Sequence, residues 1–354
     1  MAQLYLSDGT VFEGEMFGYE SDVIGEVVFN TNMTGYQELI TDPSYCGQIV
    51  NMTYPLIGNY GVNSDDKESD KVHVKGLIVR DYTEVPSNWR SERTLDEYLK
   101  ENKVVALWGI DTRALTRKLR TDGVMNGIIC RKKPTSEQLE QLKNYKIANP
   151  MKEVSIRRAY EVEGRGKRVA VIDYGMVNNI VSSLKSYNFN LKIFPYSVSA
   201  EKIMEFNPDG IILSDGPGDP AECKKPISVI KELLGKKPIF GLGLGHQLLA
   251  LAVGGRTYKM KYGHRGGNQP VKDIKTGRVY ITAQNHGYCV DEKSVNGKVT
   301  HINWNDKTPE GIEYPDLKAF SVQFHVANNK GNFSTEYIFN KFAKSLKERN
   351  NAKR

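Results

Sequence analysis

PIFGLGLGHQLLALAVGG (residues 238–255) is the stretch that decides the fold of the C-terminal half. It reads as a buried strand, a sharp turn flanked by Gly241 and Gly245, and an apolar helix over residues 246–252. A G-x-nucleophile-x-G turn between a strand and a helix is the nucleophile elbow of hydrolytic enzymes. The helix N-terminus at such a turn offers backbone N–H groups that stabilise an anion. In this chain the central residue is Gly243, which has no side chain that could attack a substrate.

Outward from the elbow, apolar strands alternate with helices. The pattern predicts strands at residues 168–173, 191–195, 210–213 and 238–240, helices at residues 179–186, 200–206, 226–234 and 246–252, and two further strand-rich stretches at residues 279–290 and 298–325. Such alternation implies right-handed crossovers and a parallel sheet that is covered by helices on both faces. We therefore expect an α/β fold for this half.

The N-terminal half has a different pattern. Residues 3–131 form short β-branched and aromatic runs broken by Gly, Asn, Asp and Pro, with helices predicted near residues 94–100 and 112–119. A polar helix follows near residues 136–146, and the next segment lacks periodicity and contains Pro150, Gly164 and Gly166. We expect a strand-rich domain over residues 1–148, a linker over 149–166 and the α/β domain over 167–354.

Composition limits the classes of function. The 354 residues, 39% of them hydrophobic, suit two domains with real cores. The 49 basic and 42 acidic residues are scattered along the chain, which argues against nucleic acid as a partner. The cysteines (Cys46, Cys130, Cys223 and Cys289) have neither disulfide-framework nor metal-site spacing, so we expect no metal and a reducing, cytoplasmic location. Neither a signal peptide nor a membrane-spanning run is visible, so no membrane partner is expected.

Several other segments, together with the elbow, occur in the order of one known family. They are FNTNMTGYQELITDPSY (29–45), TYPLIGNYGVN (53–63), WGIDTRALTRKLR (108–120), SDGPGDP (214–220), GHRGGNQPV (263–271), TAQNHGY (282–288) and FSVQFH (320–325). Any one could occur by chance, but the ordered set is strong evidence. The chain resembles the small subunit of carbamoyl-phosphate synthetase, a class I glutamine amidotransferase whose elbow carries cysteine at its centre.

The resemblance implies an architecture and a partner. The fold would be α/β, with a strand-rich small-subunit N-terminal domain that docks onto the large synthetase subunit and a flavodoxin-like class I glutamine amidotransferase domain. ATP and Mg would bind the large subunit, so no cofactor is expected in this chain. The product, carbamoyl phosphate, would feed arginine and pyrimidine synthesis.

The resemblance also implies a pocket for L-glutamine. By position, the family's glutamine contacts fall on Ser44, Gly216, Gly218, Leu244, Gln247, Asn285, Gly287 and Tyr288. The oxyanion hole would use the backbone N–H groups of Gly218 and Leu244. Asp215 stands where the family usually has asparagine, which is expected to change the hydrogen bonds of that loop.

The catalytic trio departs from the family. The family uses cysteine as nucleophile, histidine as base and glutamate to orient the histidine. Here the nucleophile position is Gly243 and the acid position is Ala327, in HVANN where the family reads HPE, so only His325 matches. In serine hydrolases, loss of the nucleophile costs about six orders of magnitude in kcat. The resemblance therefore implies a subunit whose glutaminase activity is lost and whose His325 is a relic.

Three hypotheses remain open. In the first, the chain is a glutaminase-deficient small subunit that supports ammonia-dependent synthesis with a large subunit. In the second it hydrolyses glutamine with a non-standard nucleophile, for which Cys46 and Cys289 are candidates, although both read as small buried core residues. In the third it is a glutamine-binding regulatory module. The remaining motif histidines (His246, His264 and His286) are expected to pack and to form hydrogen bonds.

Overall fold

The structure is a computed structural model that describes residues 1–326 and 335–347. Ala327, the expected acid position, lies outside the described residues. The chain divides into two compact units, Met1–Pro150 and Met151–Arg354. None of the helices in the described residues has the length and apolar character needed to cross a membrane.

The first unit is built on a closed barrel. Its elements in chain order are β1 (Ala2–Leu6), β2 (Val11–Gly18), β3 (Val23–Asn30), α1 (Tyr36–Thr41), β4 (Gln48–Met52), β5 (Leu56–Ile57), β6 (Gly76–Ile78), β7 (Asp81–Tyr82), α2 (Leu95–Glu101), β8 (Val105–Trp108), α3 (Thr112–Asp122), β9 (Met125–Cys130) and α4 (Ser136–Asn144). Around the barrel the strand order is β1-β2-β8-β6-β4-β3-β9, while β5 pairs with β7 separately.

Side chains fill the barrel, and one glycine makes room for them. A Cβ on Gly127 would lie 2.4 Å from Cγ2 of Val27 and 3.1 Å from Cδ1 of Leu4, both of which are fully buried. Only a residue without a side chain fits at that point. The strand-rich character expected for this half is confirmed.

The second unit is an α/β domain. Its elements, beginning with a short helix across the boundary between the units, are α5 (Pro150–Val154), β10 (Tyr160–Val162), β11 (Arg168–Asp173), α6 (Asn178–Ser186), β12 (Asn190–Pro195), α7 (Ala200–Glu205), β13 (Gly210–Leu213), α8 (Lys224–Leu233), β14 (Ile239–Leu242), α9 (Leu244–Ala252), β15 (Thr257–Asp273), β16 (Val279–Val290), β17 (Lys298–Asn303), β18 (Pro309–Tyr314), β19 (Ala319–Val322) and α10 (Tyr337–Ser345).

One mixed sheet organises this unit. Its strand order is β10-β12-β11-β13-β14-β19-β18-β17-β15-β16. Five adjacent strands of this sheet, β12, β11, β13, β14 and β19, are parallel to one another. Successive residues of β11 alternate between two cores: Val169 and Val171 pack in one, and Ala170 and Ile172 in the other. This period of two, apolar on both faces, is what a parallel sheet between two helical layers requires. The expected α/β class and its amidotransferase-type sheet are confirmed.

Two features differ from the sequence-based expectations. The long strand β15 was not predicted, because two register shifts, between Lys259 and His264 and between Gly266 and Gln269, interrupt its alternation. The segment expected to be a linker, residues 149–166, contains α5 and β10, and β10 pairs antiparallel with β12 at the sheet edge. A three-residue edge strand is too short to leave a periodic signal.

Replacing Phe240 with alanine should lower the free energy of unfolding by about 3–5 kcal/mol, the usual cost of deleting a buried phenylalanine. Phe240 is fully buried and stacks on Phe320 with ring centroids 4.7 Å apart. Urea unfolding of the purified protein measures the loss. Trp89→Ala is the control, because the Trp89 side chain is 92% exposed and its removal should cost less than about 0.5 kcal/mol. Equal losses for the two variants would contradict the assignment of Phe240 to the core.

Candidate active site

The elbow forms where β14 turns into α9. The strand ends at Leu242, Gly243 has φ 50° and ψ −110°, and the helix begins at Leu244. Gly243 N–H donates to the carbonyl of Val322 (3.0 Å), and Gly245 N–H donates to the carbonyl of Ser214 (2.9 Å). These bonds tie the turn to both neighbouring parallel strands. A positive φ with this ψ is disfavoured for residues that carry a Cβ, so glycine relieves strain at the centre of the turn.

The flanking glycines allow the helix to approach the sheet closely. A Cβ on Gly245 would lie 2.4 Å from the carbonyl oxygen of Leu213, and one on Gly241 would lie 2.7 Å from the carbonyl oxygen of Gly245. Both contacts are with backbone atoms, which have little freedom to shift. These two glycines therefore let α9 pack tightly against the strands beneath it.

Asp215 borders the space beside Gly243 and also lies near His325. A Cβ on Gly243 would lie 2.8 Å from Cβ and 3.3 Å from Cα of Asp215. Oδ2 of the buried Asp215 lies 3.8 Å from Nε2 of His325, whose backbone N–H donates to the carbonyl of Ala283. The carboxylate of Asp215 therefore lies close both to the elbow and to the histidine at the family's base position. Apart from aspartate at a position where the family usually has asparagine, nothing in the sequence indicated that Asp215 would lie beside His325.

Two residues expected to contact glutamine are joined by a hydrogen bond. The Nε2 group of Gln247 donates to the backbone carbonyl of Tyr288 (2.8 Å) and to Oε1 of Gln323 (2.8 Å). Gln247 lies in the first turns of α9 and Tyr288 lies on β16, so this bond fixes the elbow helix to that strand. Asn285 lies on the same strand, three residues before Tyr288, with Gly287 between them.

The remaining expected contacts lie in three places. Gly216 and Gly218 belong to the loop after β13, and Gly218 has a φ of 103°. Leu244 is the first residue of α9, and the first backbone N–H groups of a helix have no acceptor within it. Ser44 lies in the first unit, in the 3₁₀ turn Pro43–Tyr45, where its N–H donates to Oδ1 of Asp42. The roles of all these residues toward glutamine stay predictions.

Comparison with known proteins decides the family. Residues 4–129 match the family model described as "Carbamoyl-phosphate synthase small chain, CPSase domain", and residues 170–345 match "Glutamine amidotransferase class-I". The chain is 50% identical to the carbamoyl phosphate synthase small chain of Clostridium perfringens over 97% of this chain and 99% of that one. The chain belongs to the carbamoyl phosphate synthase small chain family. It is also 49% identical to the pyrimidine-specific small chain of Bacillus subtilis, over 97% of this chain and 95% of that one.

Membership of the small-chain family implies a large-subunit partner. The matched regions fall one in each unit: the small-chain domain in Met1–Pro150 and the amidotransferase domain in Met151–Arg354. The expected relationship to this family is therefore confirmed.

The cysteines of this small chain lie in its cores. Burial raises the pKa of the Cys289 thiol to about 12, and it raises that of Cys223 to about 12 and that of Cys130 to about 11. Cys46 is buried in the first unit. The nucleophile in thiol chemistry is the thiolate, which these raised pKa values disfavour at neutral pH.

The fully buried His246 has a structural environment. Its Nδ1 atom lies 2.8 Å from the hydroxyl of Ser321, and burial lowers its pKa to about 3, so the ring is neutral. This agrees with the packing role expected from its motif.

Gly243→Ala should lower the free energy of unfolding by about 2–5 kcal/mol, because the new Cβ meets both backbone strain and the crowding against Asp215. The matched control is Gly235→Ala. Gly235 also has a positive φ, of 73°, but a Cβ there would meet nothing within 4 Å, so only the cost of about 1–2 kcal/mol for left-handed backbone applies. Chemical denaturation of both variants measures the difference. Equal costs would show that Asp215 does not crowd the elbow.

Proposed function

We propose that this chain is a small subunit of carbamoyl phosphate synthase that has lost its own glutaminase step and supports synthesis from free ammonia with its large subunit. The observation that carries the proposal is the residue at the centre of the elbow. Gly243 offers no nucleophilic atom at the helix N-terminus, where the family places its thiol. The acid position, Ala327, likewise offers no carboxylate.

The surroundings of Gly243 favour loss of the glutaminase step over its rescue by another nucleophile. Asp215 borders the position where a side chain would begin, with only 2.8 Å between the two Cβ positions. A thiol introduced there would have to displace that residue. Burial raises the pKa of the Cys223 and Cys289 thiols to about 12, which makes them poor substitutes. We propose that glutamine still binds, through Gln247, Asn285, Tyr288 and the other positions implied by the family, without being cleaved.

The decisive test compares nitrogen donors. The purified chain, combined with the large subunit of the same organism, should form carbamoyl phosphate with ammonium and not with glutamine. Gly243→Cys alone should restore little glutamine-dependent synthesis, because the orienting acid is still missing and Asp215 crowds the site. Adding Ala327→Glu should raise it further. Gly235→Cys is the control, since it adds a thiol at a position with open space around it. Glutamine-dependent synthesis by the unmodified chain would contradict the proposal.

One observation favours a second candidate, slow hydrolysis of glutamine by water. The carboxylate of Asp215 lies 3.8 Å from His325 and could assist this imidazole as a base. His325 would take a proton from water, the hydroxide would add to the amide carbon, and the proton would pass to the leaving nitrogen to release ammonia and glutamate.

Asp215→Asn separates the two candidates, because it keeps the shape of the side chain and removes its charge. Under the second candidate, the unmodified chain releases glutamate from labelled glutamine and this variant loses most of that release. If the glutaminase step is lost, neither protein releases glutamate faster than glutamine does in buffer alone.

A further inference from the structure

A second group of buried polar side chains lies on the antiparallel part of the sheet, in residues that the elbow chemistry does not use. His264 on β15 stands directly opposite His286 on β16, between the two register shifts of β15. Glu310, on β18, points at both rings. All three are buried, and the Glu310 side chain is completely so. We call these three residues the His–His–Glu cluster.

The ligand atoms of the cluster have the spacing of a metal site. Nδ1 of His264 lies 3.2 Å from Nε2 of His286 and 3.3 Å from Oε1 of Glu310, and the last two atoms are 3.9 Å apart. An ion in the plane of these three atoms and equidistant from them would lie about 2.0 Å from each, which is the length of a zinc–imidazole or zinc–carboxylate bond. A fourth ligand would draw the ion out of this plane, so that small shifts of the ligand atoms complete a tetrahedral site.

The second nitrogen of each histidine is held as it is in known metal sites. Nε2 of His264 lies 2.8 Å from Oδ2 of Asp306, and Nδ1 of His286 lies 2.8 Å from the backbone carbonyl of Tyr288. A hydrogen bond from the outer ring nitrogen to a carboxylate or a carbonyl leaves a lone pair on the inner nitrogen and fixes the orientation of the ring. Both lone pairs then point into the cluster.

The hydrogen bonds around the cluster place two acceptors, Oε1 of Gln284 and Nε2 of His286, opposite each other. Gln284 donates through Nε2 to Thr282 and to Oε2 of Glu310, so its Oε1 faces Nε2 of His286 at 3.0 Å. A neutral His286 that donates to the carbonyl of Tyr288 has no hydrogen left for that oxygen. Oε1 of Glu310 faces Nδ1 of His264 at 3.3 Å without a hydrogen bond of good geometry, and Nδ2 of Asn303 also lies 3.4 Å from that nitrogen. A cation at the centre of the cluster would pair all these lone pairs at once.

Charge balance favours a divalent ion. Two carboxylates, Glu310 in the cluster and Asp306 behind it, lie within reach of two imidazoles. Buried charges are stable only when they are paired. A divalent ion would offset the carboxylate charge that the buried Arg265 beside the cluster does not, and a site with two imidazoles and one carboxylate suits zinc better than the oxygen-preferring Mg²⁺ or Ca²⁺.

We propose that the His–His–Glu cluster binds one zinc ion, with Oε1 of Gln284 or a water as the fourth ligand. The ion would be structural, because it joins β15, β16 and β18. One of its ligands, His286, stands between Asn285 and Gly287 in the sequence. Spacing along the sequence could not reveal the site, since its ligands lie 22 and 24 residues apart on three strands. The proposal is independent of the proposed function, because it concerns metal content and not nitrogen transfer.

Metal binding is tested on the tag-free full chain. After removal of metal by a chelator and dialysis, Co²⁺ is added as a spectroscopic probe. The proposal predicts the intense visible absorption of four-coordinate Co²⁺ at one ion per chain, its loss when Zn²⁺ is added, and a rise in Tm with Zn²⁺. A Co²⁺ spectrum no stronger than that of free Co²⁺, together with an unchanged Tm, would overturn the proposal and leave a proton on His264 as the bridge between Asp306 and Glu310.

Glu310→Gln should weaken Zn²⁺ binding more than about 100-fold, since even the loss of a partner outside the ligands costs 10–100-fold in affinity. Glu313→Gln is the matched control, because Glu313 lies on the same strand and pairs with Lys341 at 3.1 Å, away from the cluster. Equal affinities for these two variants would overturn the assignment of the ligands. If Glu310→Gln does not fold, His286→Gln gives the same comparison.

Discussion

The close approach of helix α9 to the strands beneath it is the constraint on which the candidate active site depends. A Cβ on Gly245 would lie 2.4 Å from the carbonyl oxygen of Leu213, so the helix can begin where it does only if this residue is glycine. At the same turn Gly243 has a positive φ of 50°, and the helix begins at the next residue. Packing of the backbone therefore determines the geometry of the site, and the identity of the central side chain does not.

This separation of architecture from chemistry would allow the family's site to persist under the proposed loss of its nucleophile. The hydrogen bonds that hold the elbow come from the backbone of Gly243 and Gly245, and Gln247 fixes the helix to β16. None of these bonds needs a thiol. Glycine at position 243 even relieves strain that a larger residue would introduce. The proposed loss of the catalytic side chain would therefore carry no cost in folding that selection on stability would oppose.

The sequence predicted the parts that depend on local pattern. The alternation of strands such as β11 and β13 with helices, the elbow, and the roles of Gly241 and Gly245 follow from apolar periodicity and glycine spacing. The sequence did not predict the continuity of β15, because register shifts interrupt its pattern, nor the closure of the barrel. It also could not place Asp215 beside His325, or Glu310 beside two histidines, because those contacts join strands that are distant in sequence.

The central claim is that no atom of this chain forms a covalent bond with glutamine. Its most direct test is intact-mass spectrometry of the chain, quenched with acid during incubation with isotopically labelled glutamine, the large subunit, ATP and bicarbonate. The account predicts the unmodified mass of the chain at every time point. A labelled glutamyl thioester on any of the four cysteines would contradict it.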